Sequence, residues 1–214
     1  MRRKSPHKRP GQRGDDTPSA TTLPPRAGEP RDSNAKDEAR QMTPALTPGL
    51  YLVATPIGNA ADISLRALAV LRAVDLIAAE DTRVTAKLLA IHGLARPVVS
   101  YREANAATAG EDLVRRLAAG QSIALVSDAG TPLIADPGER LVTAALAAGV
   151  AVTAVPGPSA PLAALLLSGL PTAPHFFLGF LPARATERRR VIAGLRALEA
   201  TLLVLEAPHR LAEG

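Results

Sequence analysis

The chain has 214 residues, with 25 Lys+Arg against 20 Asp+Glu, 19 Pro, 16 Gly, and neither Cys nor Trp. That inventory suits one or two domains and excludes a disulfide scaffold, a thiolate zinc site, an iron–sulfur cluster and a cysteine nucleophile. The longest strictly apolar run, Ala160 to Leu167, has eight residues against the roughly 18 of a membrane-spanning helix. No apolar stretch of a secretory signal follows the basic amino terminus, so no membrane partner and a cytoplasmic location are expected.

Most of the net charge of +5 belongs to the first 47 residues, which hold 10 Lys+Arg and 6 Asp+Glu and leave 15 and 14 for residues 48–214. The same segment has seven prolines and no Tyr, Phe, Trp, Ile or Val. It lacks the apolar surface needed to offset its ordering entropy, so residues 1–47 are expected to be a disordered basic tail. The folded part begins near Leu50.

From there, strand-like apolar runs are predicted at Leu50–Ala54, Asp75–Ala79, Pro97–Ser100, Ser122–Val126 and Ala151–Val155. Helical spacing of apolar residues predicts helices at Leu65–Val74, Thr82–Ile91, Glu111–Ala119 and Arg140–Ala148. This alternation predicts an α/β domain with a parallel sheet over residues 48–170. After the Pro/Gly-rich passage Gly169–Pro174, a second alternation begins with Phe176–Phe180, a helix over Thr186–Leu198 and Thr201–Glu206. Residues 171–214 therefore read as the start of a second, apparently truncated α/β domain.

Ligands bind at the carboxyl ends of strands in open parallel sheets, and four such ends carry unusual loops. They are Thr55-Pro56-Ile57-Gly58-Asn59, Glu80-Asp81-Thr82, Ser127-Asp128-Ala129-Gly130-Thr131-Pro132 and Pro156-Gly157-Pro158-Ser159-Ala160. The opposite sheet edge carries plain connections, which marks the loop edge as the working face. Simple helix capping competes with function at several positions: Asp62 or Ser64, Asp81 and Ser159 can cap the helices that follow. Asp136-Pro137-Gly138-Glu139 reads as a helix start with Asp136 as its cap. No GxGxxG follows the first strand, and GxxxxGK[ST] and GxSxG motifs are absent. His7, His92, His175 and His209 make no metal-spaced pair, so no metal is expected.

Taken together, Ala54 to Asn59, Ala79 to Arg83, Leu125 to Gly138 and Val155 to Ala160 closely resemble the ribosomal small subunit methyltransferase I family. Gly179-Phe180-Leu181-Pro182 and Glu206-Ala207-Pro208-His209-Arg210-Leu211 continue the resemblance to the carboxyl terminus. It implies a fold of the tetrapyrrole methylase type, with S-adenosylmethionine between two α/β domains. The implied reaction is 2′-O-methylation of a cytidine in 16S rRNA at the decoding centre of the 30S subunit, by a homodimer. It further implies that Pro56, Asp128, Ala129, Gly130, Thr131, Pro132 and Ile134 line the cofactor cleft, with Ser159 and Ala160 on its far wall.

Two departures stand out. The family's Tyr-His-Glu-His-Asn string is Tyr101-Arg102-Glu103-Ala104-Asn105 here, without either histidine. The second domain is also shorter than in the family, as expected of a fragment or of a short member.

Methyl transfer needs donor and hydroxyl held in line and a base to take a proton. Candidates are Asp81, Glu80 and Glu103, although Arg83 beside the first two makes a structural ion pair an equal reading. For RNA, Arg184, Arg188, Arg189 and Arg190 are candidate phosphate contacts, with a solvated helix face as the alternative. Phe176, Phe177 and Phe180 are expected in the core, which leaves base stacking a weak explanation. Two other readings stay open: a small-molecule methyltransferase of the same fold, and a noncatalytic truncated product.

Overall fold

The computed structural model describes residues 46–207 and Arg210. The expectation of disorder over residues 1–47 therefore lies outside the described residues except at Leu46 and Thr47. Both are engaged with the fold: Leu46 packs against the core, and the Tyr51 hydroxyl donates to the Thr47 carbonyl at 2.7 Å.

Five strands form one parallel sheet: β1 (Gly49–Val53), β2 (Leu76–Ala79), β3 (Val98–Ser100), β4 (Ser122–Val126) and β5 (Val152–Val155), in the order β3-β2-β4-β1-β5. Side chains alternate across a strand, and a parallel sheet covered on both faces needs apolar residues at every position. The central strand β4 shows this. Ala124 and Val126 join Tyr51, Val53, Ile77 and Ala79 on one face, while Ile123 and Leu125 join Leu50, Leu76 and Ala78 on the other.

Helices α1 (Leu65–Ala73) and α2 (Thr82–Ile91) cover the first face through Ala67, Val70, Leu71 and Leu89. Helices α3 (Ala106–Ala118) and α4 (Glu139–Ala147) cover the second through Ala106, Leu113, Leu117, Leu141 and Ala145. Of the two capping residues proposed for α1, Ser64 holds the position, its hydroxyl accepting from the Ala67 N–H at 3.0 Å.

Helix α3 starts at Ala106, five residues before the predicted Glu111. The added turn, Ala106-Ala107-Thr108-Ala109-Gly110, is built of small residues that show no apolar period. A Cβ on Gly110 would stand 3.8 Å from the Tyr101 ring, so the small face of this turn sits directly on that buried aromatic.

At the opposite edge, Asp75 staples β2 to β4. Its carboxylate accepts from both the N–H and the hydroxyl of Ser122 at 2.7 Å, and these bonds hold its pKa below the ordinary carboxylate value. Because the folded-state pKa is depressed, this stability is present above the unfolded value of about 3.9 and is lost as pH falls through the folded value. In this solvent-accessible setting, Asp75→Ala is expected to cost about 1 kcal/mol at neutral pH. Urea titrations should show the gap from wild type closing as pH falls below about 3.9.

Beyond β5 lie α5 (Ala160–Leu167), β6 (His175–Phe180), α6 (Ala185–Leu195) and β7 (Thr201–Leu205). Strands β6 and β7 pair in parallel as a separate two-stranded sheet, with a register shift between Phe177 and Gly179. The phenylalanines do not form a core as expected. Phe176 is 40% and Phe180 54% exposed, beside Leu202 and Val204 at 40% and 44%. Two strands have too little surface to bury both faces, so an apolar run that reads as a core strand stays open.

Candidate functional site

Adjacent strands β1 and β4 send their chains in opposite directions across the sheet and to opposite faces, which opens a crevice at their carboxyl ends. The four loops anticipated as a working face meet there and are tied to one another. Thr55 and Gly130 exchange backbone hydrogen bonds at 2.9 and 3.0 Å, and the buried Thr55 hydroxyl donates to the Ser127 carbonyl at 3.1 Å. The Thr131 hydroxyl donates to the Pro158 carbonyl at 3.0 Å, joining the β4 and β5 loops. The Asp81 N–H donates to the Asp128 carboxylate at 2.9 Å, joining the β2 loop to the same assembly.

Gly130 makes this closure possible. Its φ of +85° lies in the left-handed region, and a Cβ there would stand 3.3 Å from Ile57 Cγ2. Leu133 and Ala135 also hold positive φ, 71° and 67°. Such conformations cost about 1–3 kcal/mol each and persist only where surrounding structure enforces them.

On one side of the Thr55–Gly130 bridge is a cleft of about 170 Å³ lined by Ala129, Gly130, Thr131, Ile134, Ser159 and Ala160, with Asp136, Phe180 and Leu205 completing the wall. Six of the predicted cofactor residues thus meet in one cavity. Pro56 and Asp128 line a neighbouring cavity of similar size, with Val84, Thr85, Lys87 and Ser127. Pro132 is buried and lines neither.

The candidate bases separate. Asp81 caps α2 by accepting from the Arg83 N–H at 2.8 Å and pairs with the Arg83 guanidinium at 2.5 Å. These bonds drive its pKa far below the usual range, so the structural ion pair prevails over a proton-accepting role. Glu103 is 73% exposed, lies 3.9 Å from Arg140 and lines neither cavity. Its neighbours Tyr101 and Asn105 are structural: the former is buried, and the latter donates to the Ser100 carbonyl at 3.0 Å. Glu80 is half-buried, and its pKa is raised first by burial and then by the charges of Asp136, Asp128 and Asp81.

Asp136 departs from its expected role. The residue at the cap of α4 is Gly138, with φ +145° and no side-chain cap. Asp136 instead lines the cleft. Burial raises its pKa, the nearby Ser127 side chain opposes that rise, and the charge of Asp128 adds to it. The Asp-Pro-Gly-Glu string imitates a capping motif, and nothing in its spacing announces a cleft residue.

Arg184 stands at the cap of α6 and pairs with Glu187 at 3.4 Å. Arg189 and Arg190 are exposed and Arg188 half-buried on the same helix; none of these arginines lines the cleft. An ion pair with no sequence signal joins Glu206 and Arg210 at 2.5 Å, at 11% and 19% side-chain exposure. No group of three or more His, Cys, Asp or Glu among the described residues is placed to hold a metal. No described helix is long and apolar enough to cross a membrane.

An open parallel sheet with an interlocked loop face at its switch point is an α/β ligand-binding architecture. The profile of the tetrapyrrole (corrin/porphyrin) methylases matches residues 49–213, and the chain belongs to that family. Over 168 residues it is 55% identical to the ribosomal RNA small subunit methyltransferase I of Mesorhizobium japonicum, covering 78% of this chain and 57% of that one. The protein of that name from Xylella fastidiosa strain Temecula1 is also 55% identical over 168 residues, with 78% and 62% covered. The chain thus spans 57 to 62% of the length of these curated relatives. Among solved structures, diphthine synthase superposes with a TM-score of 0.60 at 21% identity, over 74% of this chain and 65% of that one. Uroporphyrin III C-methyltransferase of Thermus thermophilus gives 0.50 at 23%, over 75% and 71%. These two likenesses concern the fold.

Proposed function

We propose that the chain is the S-adenosylmethionine-binding part of an enzyme that methylates the 2′-hydroxyl of a cytidine in the 16S rRNA of the 30S subunit. The observation that carries the reading is the cleft itself. The loops that resemble the methyltransferase I family are the loops that interlock at the switch point, and their residues line one cavity. Relatives 55% identical bear the name of a small-subunit rRNA methyltransferase, which supports rRNA as substrate.

The cavity suits the cofactor chemically. Its walls are mostly apolar, from Ala129, Ile134, Ala135, Ala160, Pro161, Phe180 and Leu205, which fits a nucleoside and a thioether chain. Bound there, S-adenosylmethionine would supply a methyl group already activated on a sulfonium. Gly130, Thr131, Ser159 and Ala160 would hold the ligand against the sheet edge, and Phe180, open to the cleft, offers a flat surface for a base. Arg184, Arg188, Arg189 and Arg190 on α6 would grip phosphates. We place residues 48–170 as the methylase domain and 171–214 as the beginning of the second domain of a cytoplasmic homodimer.

The test is methyl transfer from labelled S-adenosylmethionine to 30S subunits, by this chain and by the chain extended with the remaining length of a relative. Label at a cytidine 2′-oxygen supports the reading. Label on a tetrapyrrole alone, or on nothing with either protein, overturns it.

A further inference from the structure

The sequence directs the search for a base to Glu80, Asp81 and Glu103, yet none of the three lines the cleft that gathers the predicted cofactor residues. Asp136 is the carboxylate that does. It sits between Leu133 and Ala135 on one side and Gly138 on the other, in a loop bent by three positive φ values. That bend turns it away from α4, whose cap is Gly138. Its polar neighbour is Ser127 at the end of β4, whose hydroxyl lies against the Ala129 and Gly130 carbonyls at 3.3 and 3.2 Å. Asp136 thus lines the cavity close to the end of the central strand.

We propose that Asp136 is the residue that accepts the proton of the attacking hydroxyl. The inference rests on the methyl-transfer reading above. The ribose 2′-oxygen forms the bond to the methyl carbon with one of its lone pairs. The carbon–sulfur pair leaves on sulfur and discharges the sulfonium. The hydroxyl proton passes to a carboxylate oxygen of Asp136, leaving it a neutral acid. No oxidant, metal or further reactant is required.

The surroundings favour such a base. The charged groups facing Asp136 are Asp128 on its own loop and Glu80 from the end of β2, both acidic. The start of α5 and the ends of β6 and β7 present Ser159, Ala160, Pro161, Phe180 and Leu205, none of them charged. Among the described residues no cation faces the carboxylate to stabilise its ionised form, so burial and like charge make it a stronger base than a solvated aspartate. The folded-state pKa is raised, so ionisation subtracts stability as pH rises through the unfolded and then the folded value. A neutral amide at this position removes that cost.

The experiment compares wild type, Asp136→Asn and Asp136→Glu in the form of the protein that labels 30S subunits, alongside calorimetric binding of S-adenosylmethionine and thermal melting. Asp136→Asn is expected to lower kcat by about 10²–10⁴-fold, bind S-adenosylmethionine within about threefold of wild type, and melt no lower than wild type. The wild-type rate should rise with pH on an acidic limb that the Asn variant lacks and that Asp136→Glu retains, displaced. An Asn variant that transfers methyl at the wild-type rate, or keeps the same acidic limb, overturns the proposal. So does a large loss of S-adenosylmethionine affinity with kcat preserved, which would make Asp136 a ligand for the cofactor's positive charge. A wild type that binds but labels no 30S subunit overturns the methyl-transfer reading, and the proposal with it.

Discussion

Replacing Glu206 with Ala is expected to cost about 2–4 kcal/mol, the largest loss of stability anticipated from a single polar side chain here. Glu206 ends β7, and its carboxylate takes the Arg210 guanidinium at 2.5 Å and the Ala207 N–H at 2.9 Å. The guanidinium also reaches the Leu181 carbonyl at 3.5 Å, so the pair clasps the chain just beyond β6 to the chain just beyond β7. Both side chains are largely buried, and Glu206 Oε2 and Arg210 Nε have no hydrogen-bond partner among the described residues.

Removing the carboxylate alone leaves a desolvated guanidinium, and that uncompensated charge dominates the cost. Removing both charges in Glu206→Ala/Arg210→Met should therefore recover a good part of the loss. Urea unfolding followed by amide exchange in β6 and β7 checks both. A single variant as stable as wild type would show that water already solvates the pair.

This clasp also shows where sequence reading runs out. Glu206 and Arg210 are four apart, a helical spacing, but Glu206 ends a strand and Pro208 lies between them, so periodicity gives no reason to join them. The five-stranded sheet was legible because strands buried on both faces must be apolar throughout, as Ser122 to Val126 and Leu76 to Ala79 are. The loop face was legible because Gly130, Pro132 and Pro158 punctuate strand ends where plain connections would suffice. Asp136 was hidden by its likeness to a cap, and the positive φ values at Leu133, Ala135 and Gly138 show that the backbone takes another course. The exposed Phe176 and Phe180 were hidden for a different reason. Whether an apolar strand is covered depends on its neighbours, and a two-stranded sheet supplies few.

Gly130→Val should weaken cofactor binding strongly while leaving the five-stranded sheet folded. A valine at φ +85° is strained whatever the space around it, at a cost of about 1–3 kcal/mol. Its Cβ would arrive 3.3 Å from Ile57 Cγ2 and 3.7 Å from the Pro158 carbonyl, so its two methyl groups have to push the β1 and β5 loops apart. Those displacements fall on the Thr55–Gly130 backbone pair and the Thr131–Pro158 bond, the two ties that set the cleft wall. Calorimetry is expected to show at least about a tenfold loss of S-adenosylmethionine affinity, equal to 1.4 kcal/mol. Gly130→Ala should show a smaller loss, because the exposed Ile57 side chain can yield a few tenths of an ångström. Trimming that neighbour in Gly130→Ala/Ile57→Ala would then relieve the crowding but leave the backbone strain, separating the two contributions. Unchanged affinity in a folded Gly130→Val protein would move the cofactor away from this cleft. Lost affinity there, beside preserved affinity in Asp136→Asn, would divide the loop into a part that holds the ligand and a part that takes the proton.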